Sequence, residues 1–326
     1  MSRILTLFSS RLRGAKSSDM GDIRWHRVSA ALAACGHTVH MGSAELRRRL
    51  GPVRENAAGV STVPITRVAW DEYDMVKTFY HEGWETLERY GGASHPFIIA
   101  HLGSVVGPDD REGIYFYGPT RERLWNVQQS VNRAGGPITL LTEPARELWR
   151  ECFGDTQPVH LAPGAADTVI PLPRNDPYPA DCALRVVFSG NFYNGSSTSQ
   201  PEAHRTVAGR LNRLGELLAG RGARLFVVGP GDRRSLDPRF VSYLGAVPYE
   251  RSWDFLYFAT VGIVVSAGTF QHNNESTKLY YYLRAGLPVV SEAGFPNDHV
   301  VREAGLGFVV ENGRPDIMAD RIMEAA

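Results

Sequence analysis

The chain has 326 residues, of which 43% are apolar and 21% charged, and its formal net charge at pH 7 is zero. This length suggests about two domains, and the composition is typical of a globular protein. A balanced net charge gives no indication of nucleic-acid binding, so no nucleic-acid partner is expected. The charge is nevertheless uneven, because residues 1–67 hold eleven Lys and Arg against four Asp and Glu.

Short apolar runs alternate with amphipathic stretches along the first half of the chain. The run ILTLF is followed by a polar loop and the helical pattern IRWHRVSAALAACGH. Further apolar runs in TVHMG, YDMVKTFY, HPFIIAH and PITLLT alternate with GWETLERYGG, TRERLWNVQQSVNRAGG and EPARELWRECFG. This rhythm predicts parallel βαβ units, whose strands are apolar throughout because helices cover both faces of the sheet.

Residues 159–183 are rich in Pro, Asp and Ala and predict a link between two domains. The strand–helix rhythm then restarts at LRVVFSGNFY and continues to the end of the sequence. We therefore predict an α/β fold of two tandem Rossmann-like, doubly wound domains facing a cleft, over residues 1–165 and 166–326. Open parallel sheets bind ligands at the carboxyl ends of their strands, so this arrangement suits two substrates.

The three cysteines, Cys35, Cys152 and Cys182, are far apart in the sequence. Their spacing fits neither a disulfide framework nor a zinc site, and no acidic pair suggests a metal. The apolar run in MSRILTLFSSRLRG is too short for a signal peptide, and no run of about 18 apolar residues follows. The sequence thus predicts a cytoplasmic protein, with any membrane contact a peripheral one at the inner face.

Several predicted strands of the second domain end in glycine, at Gly190, at Gly229 with Gly231, and at Gly245. Glycine lets the backbone approach a ligand closely and leaves amide groups available to a phosphate. The alternative is that each glycine forms a tight turn between a strand and a helix.

The stretch NNESTKLYYYLRAGLPVV follows the predicted strand GIVVS. A helix that starts near Glu275 would direct its N-terminus at the ligand-binding edge, where unpaired amides and Lys278 together favour a diphosphate. Ser276 and Thr277 are suited to cap this helix or to donate to phosphate oxygens. The alternative is a surface Lys278 that pairs with Glu275 at i, i+3.

The segment KLYYYLRAGLPVV resembles the K-L-x-E-Y-L-A-x-G-x-P-V-V stretch of the GT-B glycosyltransferases, especially the large retaining family four (glycosyl transferases group 1). Over residues 159–311 the segments VHLAPGAAD, VVFSGNFY, LFVVGPGD and VSYLGAVPYE resemble other motifs of that family, in the same order. The resemblance implies that the second domain binds a nucleotide-sugar donor and the basic first domain binds the acceptor.

The resemblance also implies roles for single residues. Lys278 matches the lysine that contacts the donor phosphates, and the backbone near Val247 matches the segment that holds the base. Residues 269–274, which include Asn273 and Asn274, match the loop that reaches the donor sugar and its phosphate. His101 ends a predicted strand in a place similar to that of the family's active-site histidine, although a polar strand end is the alternative.

Two departures from the family pattern affect the donor site. Where many relatives carry two glutamates eight residues apart, this chain has Asn273 and Tyr281. Tyr281 is suited to hydrogen-bond a ribose hydroxyl or to stack on a base, or it is a rim aromatic without a ligand. Where many relatives carry an arginine and a lysine, this chain has Asn191 and no cation. Neutral donors of NFYNGSS, or Arg11 or Arg13 from the first domain, would then bind the phosphates; weak or absent activity is the third outcome.

We therefore expect a hexosyltransferase-like, metal-independent glycosyltransferase with no cofactor and a UDP-sugar as its first candidate donor. The expected acceptor is a cell-surface glycan or a lipid-linked precursor. The basic residues 1–67 suit a phosphate-bearing acceptor or an anionic membrane, or they form a solvated surface. The alternatives are a non-catalytic nucleotide-sugar-binding protein, a subunit of a partner enzyme, and a nucleotide-sugar epimerase of similar shape.

Overall fold

The computed structural model describes residues 1–8, 20–43, 54–57, 59–109, 118–192, 201–267 and 273–326. Two compact units make up the chain. The first consists of Met1–Pro108 and Glu122–Ala162, and the second of Asp109–Arg121 and Pro163–Ala326.

The described part of the first unit is built on one sheet. Its strands are β1 (Arg3–Leu7), β2 (Thr38–Ser43), β3 (Arg54–Ala57), β4 (Val60–Pro64), β5 (Met75–Phe79), β6 (Ile98–His101), β7 (Ile138–Leu140) and β8 (Val159–Leu161). They lie in the order β3-β4-β2-β1-β5-β6-β7-β8, and neighbours are parallel except β3 and β4, which are antiparallel. The helices that precede β8 in the sequence are α1 (Met20–Ala34), α2 (Tyr80–Arg89), α3 (Gly118–Ala134) and α4 (Glu143–Phe153).

Both faces of this sheet bury apolar side chains, as expected for parallel strands. On one face Leu5 and Leu7 belong to a core that includes Trp84 of α2 and Trp149 of α4. On the other face Ile4 packs in a core with Trp25 of α1. The sheet is therefore a doubly wound layer. A polar group on this second face is paired within the unit, because the Trp25 indole N–H donates to the Thr6 hydroxyl at 2.9 Å.

The second unit is built on a parallel sheet of β9 (Leu184–Ser189), β10 (Ala223–Val228), β11 (Val241–Gly245), β12 (Val261–Val264), β13 (Val289–Glu292) and β14 (Gly307–Val310). Its strand order is β11-β10-β9-β12-β13-β14. This is the Rossmann order. The order in which strands are added to the sheet reverses between β9 and β12, and ligands bind at the carboxyl ends of the strands at this reversal point. Its helices are α5 (Pro201–Ala219), α6 (Tyr249–Tyr257), α7 (Thr277–Arg284), α8 (His299–Ala304) and α9 (Pro315–Ala325).

The prediction of two doubly wound α/β sheets is confirmed. The antiparallel ribbon of β3 and β4 was missed, because two short strands in RENAAGVSTVP carry few apolar residues. Helix α8 was also missed, since six residues are too few to display a helical period. Neither element changes the order of the parallel strands.

Candidate functional site

The reversal point of the second sheet brings Lys278 of α7 against the end of β9. Gly190 follows β9 with a φ of +147°, and a Cβ placed on it would lie 2.3 Å from the Lys278 Cε. The Lys278 ammonium lies 5.1 Å from the centre of the Phe188 ring. A side chain at position 190 would displace the end of the lysine chain, so Gly190 and Lys278 pack directly against each other.

Lys278 is a desolvated cation with no counter-ion among the described residues. Burial lowers the pKa of its ammonium to about 8, and within the described ranges it forms no hydrogen bond or ion pair. Glu275 does not pair with it: this carboxylate accepts hydrogen bonds from the Gly164 amide and, at 3.0 Å, from the Tyr280 hydroxyl. The alternative of a Lys278–Glu275 surface pair is therefore wrong, and an anionic ligand would stabilise the lysine's charged form.

The N-terminus of α7 adds uncharged donors beside this ammonium. Ser276 is the N-cap residue, and Asn297 binds its backbone twice, accepting from its amide at 2.9 Å and donating to its carbonyl at 3.0 Å. The Ser276 hydroxyl does not cap the helix, and it is buried with no hydrogen-bond partner among the described residues. The amides of Thr277 and Lys278 lie in the first turn, where no intrahelical acceptor exists. These donors suit phosphate oxygens.

The three consecutive tyrosines of α7 have three different partners. Tyr282 is buried, and its hydroxyl accepts from the Ser189 amide at 2.8 Å, which attaches α7 to the end of β9. Tyr280 donates to Glu275. Tyr281 is half-buried and packs against Trp253 and Tyr249, with ring centres 5.4 and 5.9 Å away. Helical spacing predicts that Leu279, Tyr282 and Leu283 share a buried face; Leu279 and Tyr282 are buried, and Leu283 is half-buried.

The glycine turns after β9, β10 and β11 are hydrogen-bonded in series. The Gly190 amide donates to the Val228 carbonyl at 2.7 Å, and the Gly229 amide donates to the Gly245 carbonyl at 2.9 Å. Gly229 has a φ of +140°, and a Cβ on it would lie 2.2 Å from the Gly190 carbonyl oxygen. The turn that faces Lys278 is therefore supported by the next turn of the sheet. Val247 is half-buried in the loop that follows β11.

Sequence reasoning missed a buried carboxylate at the ends of β12 and β13. Glu292 is 2% exposed, and its oxygens accept from Arg210 and the Ser266 amide, both at 2.6 Å, and from the Gly313 amide at 2.9 Å. Arg210 also donates to the Ser266 carbonyl at 3.2 Å. This network holds the chain just before residues 269–274. The sequence signal that could have indicated this site was a single glutamate at the end of an apolar strand.

The other predicted donor residues lie in two places or fall outside the described residues. Asn273 and Asn274 are half-buried just before Glu275, and Asn191 is exposed beside Gly190. Residues 269–272 of the predicted sugar loop lie outside the described residues, as do Arg11 and Arg13. Their roles stay predictions.

In the first unit, His101 ends β6 in a buried position. Its Nδ1 lies 2.9 Å from the Thr139 hydroxyl, and its Nε2 is buried without a hydrogen-bond partner in the described part of the chain. Burial, followed by the charges of Lys77 and Arg24, holds the pKa of His101 well below its usual range. The imidazole is therefore neutral at pH 7. Its neighbour Tyr80 has a left-handed φ of +56°, a strained conformation for a bulky residue. A catalytic role for His101 stays a prediction.

The described residues contain neither a candidate membrane-spanning helix nor a candidate metal cluster. Their helices include none with the length and apolar character that crossing a bilayer requires. Their His, Cys, Asp and Glu side chains form no group of three or more that could hold a metal ion.

Residues 218–314 match the family described as the glucosyltransferase 3-like C-terminal domain. This segment contains Lys278, Tyr281 and the glycine turns after β10 and β11. No curated protein sequence matches the chain significantly.

Solved structures with similar folds include glycosyltransferases and a sucrose-phosphate synthase. Sucrose-phosphate synthase from Thermosynechococcus elongatus has a TM-score of 0.66 at 13% identity, covering 99% of this chain and 89% of that one. HepE from Anabaena, solved with UDP-glucose, has a TM-score of 0.65 at 13% identity, with coverages of 99% and 89%. WaaG, a glycosyltransferase involved in lipopolysaccharide biosynthesis, has a TM-score of 0.63 at 12% identity, with coverages of 99% and 90%. The chain therefore shares the GT-B fold of these glycosyltransferases, as the motifs of residues 159–311 predicted, and a segment of its second unit is similar to the glucosyltransferase 3-like C-terminal domain.

Proposed function

We propose that the protein transfers a sugar from a nucleotide-sugar donor, first of all a UDP-sugar, to an acceptor bound by the first unit. The observation that carries this proposal is Lys278, a desolvated cation that forms no hydrogen bond or ion pair in the described ranges. It lies beside Gly190 at the reversal point of a Rossmann-type sheet. The UDP-glucose complex of HepE supports the choice of donor.

Lys278 and the N-terminus of α7 have a role in the chemistry as well as in binding. When the bond between sugar and diphosphate breaks, negative charge grows on the leaving diphosphate. A fixed ammonium, the first-turn amides and the Ser276 hydroxyl would stabilise that charge without rearrangement. These groups supply the stabilisation without a metal ion, so metal independence is part of the proposal.

Replacing Lys278 by methionine is expected to weaken UDP binding by about 1.5–3 kcal/mol, the contribution of a hydrogen bond to a charged group. Methionine keeps much of the packing against Phe188 and Gly190 while it removes the charge. Isothermal titration calorimetry of the parent and the variant measures the difference. Arg234→Met is the matched control, because the Arg234 side chain is 80% exposed. An equal Kd for UDP in the parent and Lys278→Met would contradict the phosphate site.

The affinity for UDP is also expected to depend on the protonation of Lys278. Its pKa of about 8 in the unliganded protein means that most molecules carry the charge at pH 7 and few do at pH 9. A bound diphosphate favours the ammonium and raises its pKa, so binding takes up a proton near pH 8. We expect the Kd to rise about tenfold from pH 7 to pH 9, because the protonated fraction falls by about that factor. Lys278→Met should lose this dependence, and an equally steep pH profile in that variant would assign the titration to another group.

Turnover separates the proposed transferase from a protein that only binds nucleotide-sugars. Many transferases slowly transfer the donor sugar to water when no acceptor is present. We therefore expect the protein to release UDP from UDP-glucose, or from another UDP-sugar in a panel, and Lys278→Met to slow the release. Tight binding across the panel with no release, even when acceptor extracts are added, would favour the alternative of a non-catalytic binder or a subunit of a partner enzyme. Conversion of one UDP-sugar into its epimer would favour the epimerase.

The proposal extends to the acceptor and the location. A cell-surface glycan or a lipid-linked precursor fits the basic residues 1–67. Action in the cytoplasm, in peripheral contact with an anionic membrane, follows if that acceptor is lipid-linked. Sedimentation with anionic and with neutral vesicles, at low and at high salt, tests this part separately.

A further inference from the structure

Lysine is rare in this chain, and two of its lysines have a desolvated ammonium. Of the 35 basic residues, three are lysines: Lys16, Lys77 and Lys278. Burial lowers the pKa of the Lys77 ammonium to about 8, as it does for Lys278. Within the described ranges Lys77 forms no hydrogen bond or ion pair, and it is half-buried, so a ligand can reach its side chain. An ammonium adapts to such a place by changing its pKa, which a guanidinium cannot do.

Lys77 lies at the reversal point of the first sheet. The order in which strands are added to that sheet reverses between β1 and β5, and ligands bind at the carboxyl ends of the strands at such a point. Lys77 is the register partner of Thr6 of β1 and lies two residues before the end of β5. Its Nζ is 5.4 Å from the centre of the Phe79 ring, so its side chain extends toward the carboxyl end of β5.

His101 lies on the same face of the sheet as Lys77. Lys77 and Phe79 are two residues apart on β5 and share a face, and Phe79 packs in the core that contains Trp25 of α1. His101 is the register partner of Phe79 on β6, and their rings are 5.8 Å apart. The His101 Nε2 is buried without a hydrogen-bond partner among the described residues. When the Thr139 hydroxyl donates to Nδ1, at 2.9 Å, the imidazole proton is on Nε2, which is then an unused donor.

Two cations act on this histidine. The charges of Lys77 and Arg24 both lower the pKa of His101, and none of the described carboxylates raises it. The Arg24 guanidinium lies 5.9 Å from the centre of the Tyr80 ring, and that ring lies 5.6 Å from His101. Tyr80 reaches this position with a left-handed φ of +56°, a strain that proteins retain mostly at functional sites. The strand ends of β5 and β6 therefore combine positive charge with an unused donor.

We propose that Lys77, Arg24 and His101 form a second anion site, which binds a phosphate group of the acceptor. This inference rests on the proposed function, because it assigns the ligand to the acceptor side of a transfer reaction. A phosphate monoester carries a charge of about −1.5 to −2 at pH 7 and three acceptor oxygens, which two cations and a neutral donor match. For His101 this is a binding role, and it differs from the catalytic role that the family resemblance implies.

Nuclear magnetic resonance of the full chain, labelled with carbon-13 only in lysine, tests this site. Lys278→Met and Lys16→Met assign two of the three sets of lysine signals, so the third belongs to Lys77 without a variant of that residue. With UDP saturating the donor site, inorganic phosphate is expected to raise the measured pKa of Lys77 by about one to three pH units. Chloride at equal ionic strength should leave it unchanged.

Calorimetry with inorganic phosphate, also with UDP present, gives a second measurement. Lys77→Met is expected to raise the Kd for phosphate about tenfold or more, as the loss of a hydrogen bond to a charged group implies. Arg89→Met is the matched control, because Arg89 is an exposed cation at the far end of α2. Glucose 6-phosphate and an isoprenyl phosphate in neutral vesicles distinguish a soluble from a lipid-linked acceptor, according to which shifts the Lys77 signals at the lower concentration.

The outcomes separate this site from the proposed function. Lys77 signals that respond equally to phosphate and chloride, or a Lys77→Met variant that binds phosphate like the parent, would overturn the anion site. UDP binding that depends on Lys278 would leave the proposed function intact in that case. A response to glucuronate and not to phosphate would overturn the phosphate and indicate an acceptor that carries a carboxylate. Phosphate binding at Lys77 in a protein that does not bind UDP would overturn the assignment of this ligand to an acceptor.

Discussion

Replacing Glu292 by alanine is expected to lower the free energy of unfolding of the second unit by about 3–5 kcal/mol, since breaking a buried ion pair leaves its other charge uncompensated. The Glu292 side chain is 3% exposed and Arg210 is 20% exposed. The substitution also removes the acceptor of the Ser266 and Gly313 amides, so two backbone donors lose their partner together with the arginine. Urea unfolding followed by circular dichroism and tryptophan fluorescence measures the loss.

The chain offers a closely matched control for this experiment. Arg213 and Glu216 also form an ion pair at 2.6 Å in the second unit, but their side chains are 57% and 48% exposed. Glu216→Ala is expected to cost less than about 1 kcal/mol, because exposed pairs are screened by water. Equal costs for the two substitutions would mean that the buried network contributes nothing beyond a surface pair.

Glu292→Ala is also expected to affect the proposed donor site, because Glu292 helps to position the segment that leads into residues 269–274. Ser266 lies just before the predicted sugar-contacting residues 269–274, and Glu292 and Arg210 hold both its amide and its carbonyl. Under conditions in which Glu292→Ala remains folded, release of UDP from a UDP-sugar should slow more than UDP binding weakens. Unchanged turnover in the folded variant would restrict Glu292 to stability.

Gly229→Ala is expected to destabilise the second unit by about 3–5 kcal/mol, the sum of an unfavourable backbone conformation and a steric overlap. Gly229 has a φ of +140°, and its added Cβ would lie 2.2 Å from the Gly190 carbonyl oxygen and 2.6 Å from the Gly190 carbonyl carbon. These are backbone atoms, which cannot rotate away as a side chain can. Relief requires a shift of the turn that faces Lys278, so UDP affinity should fall as well.

Gly245→Ala separates the cost of the backbone conformation from the cost of the steric overlap. Gly245 has a φ of +83°, and a Cβ on it would meet nothing within 4 Å. This variant should cost about 1–2 kcal/mol, the penalty of a left-handed conformation, and should change UDP affinity little. Thermal unfolding and calorimetry of both variants provide the comparison. If Gly229→Ala is no worse than Gly245→Ala, the turns after β9 and β10 are not packed as described.

The sequence by itself determined the class of fold and predicted where the proposed phosphate site lies. Alternation of apolar runs with amphipathic stretches depends on local periodicity, and it predicted both parallel sheets. The glycines at Gly190 and Gly229 and the start of α7 near Lys278 were also local signals, because a strand end, a turn and a helix start each have their own residue preferences.

Only the tertiary structure decided which side chains meet. Glu275 and Lys278 are three residues apart in the sequence, yet the Glu275 carboxylate accepts from the Gly164 amide, more than a hundred residues away. The Tyr249 hydroxyl donates to Asp167, which lies 82 residues earlier in the sequence, and no local pattern indicates this bond. Glu292 is the last residue of the apolar strand β13, and it pairs with Arg210 of helix α5. Such pairings depend on how strands and helices pack across long separations in the chain. A periodic pattern specifies which face of a helix or strand is buried. The partner of a buried charge depends on which other helix or strand packs against that face.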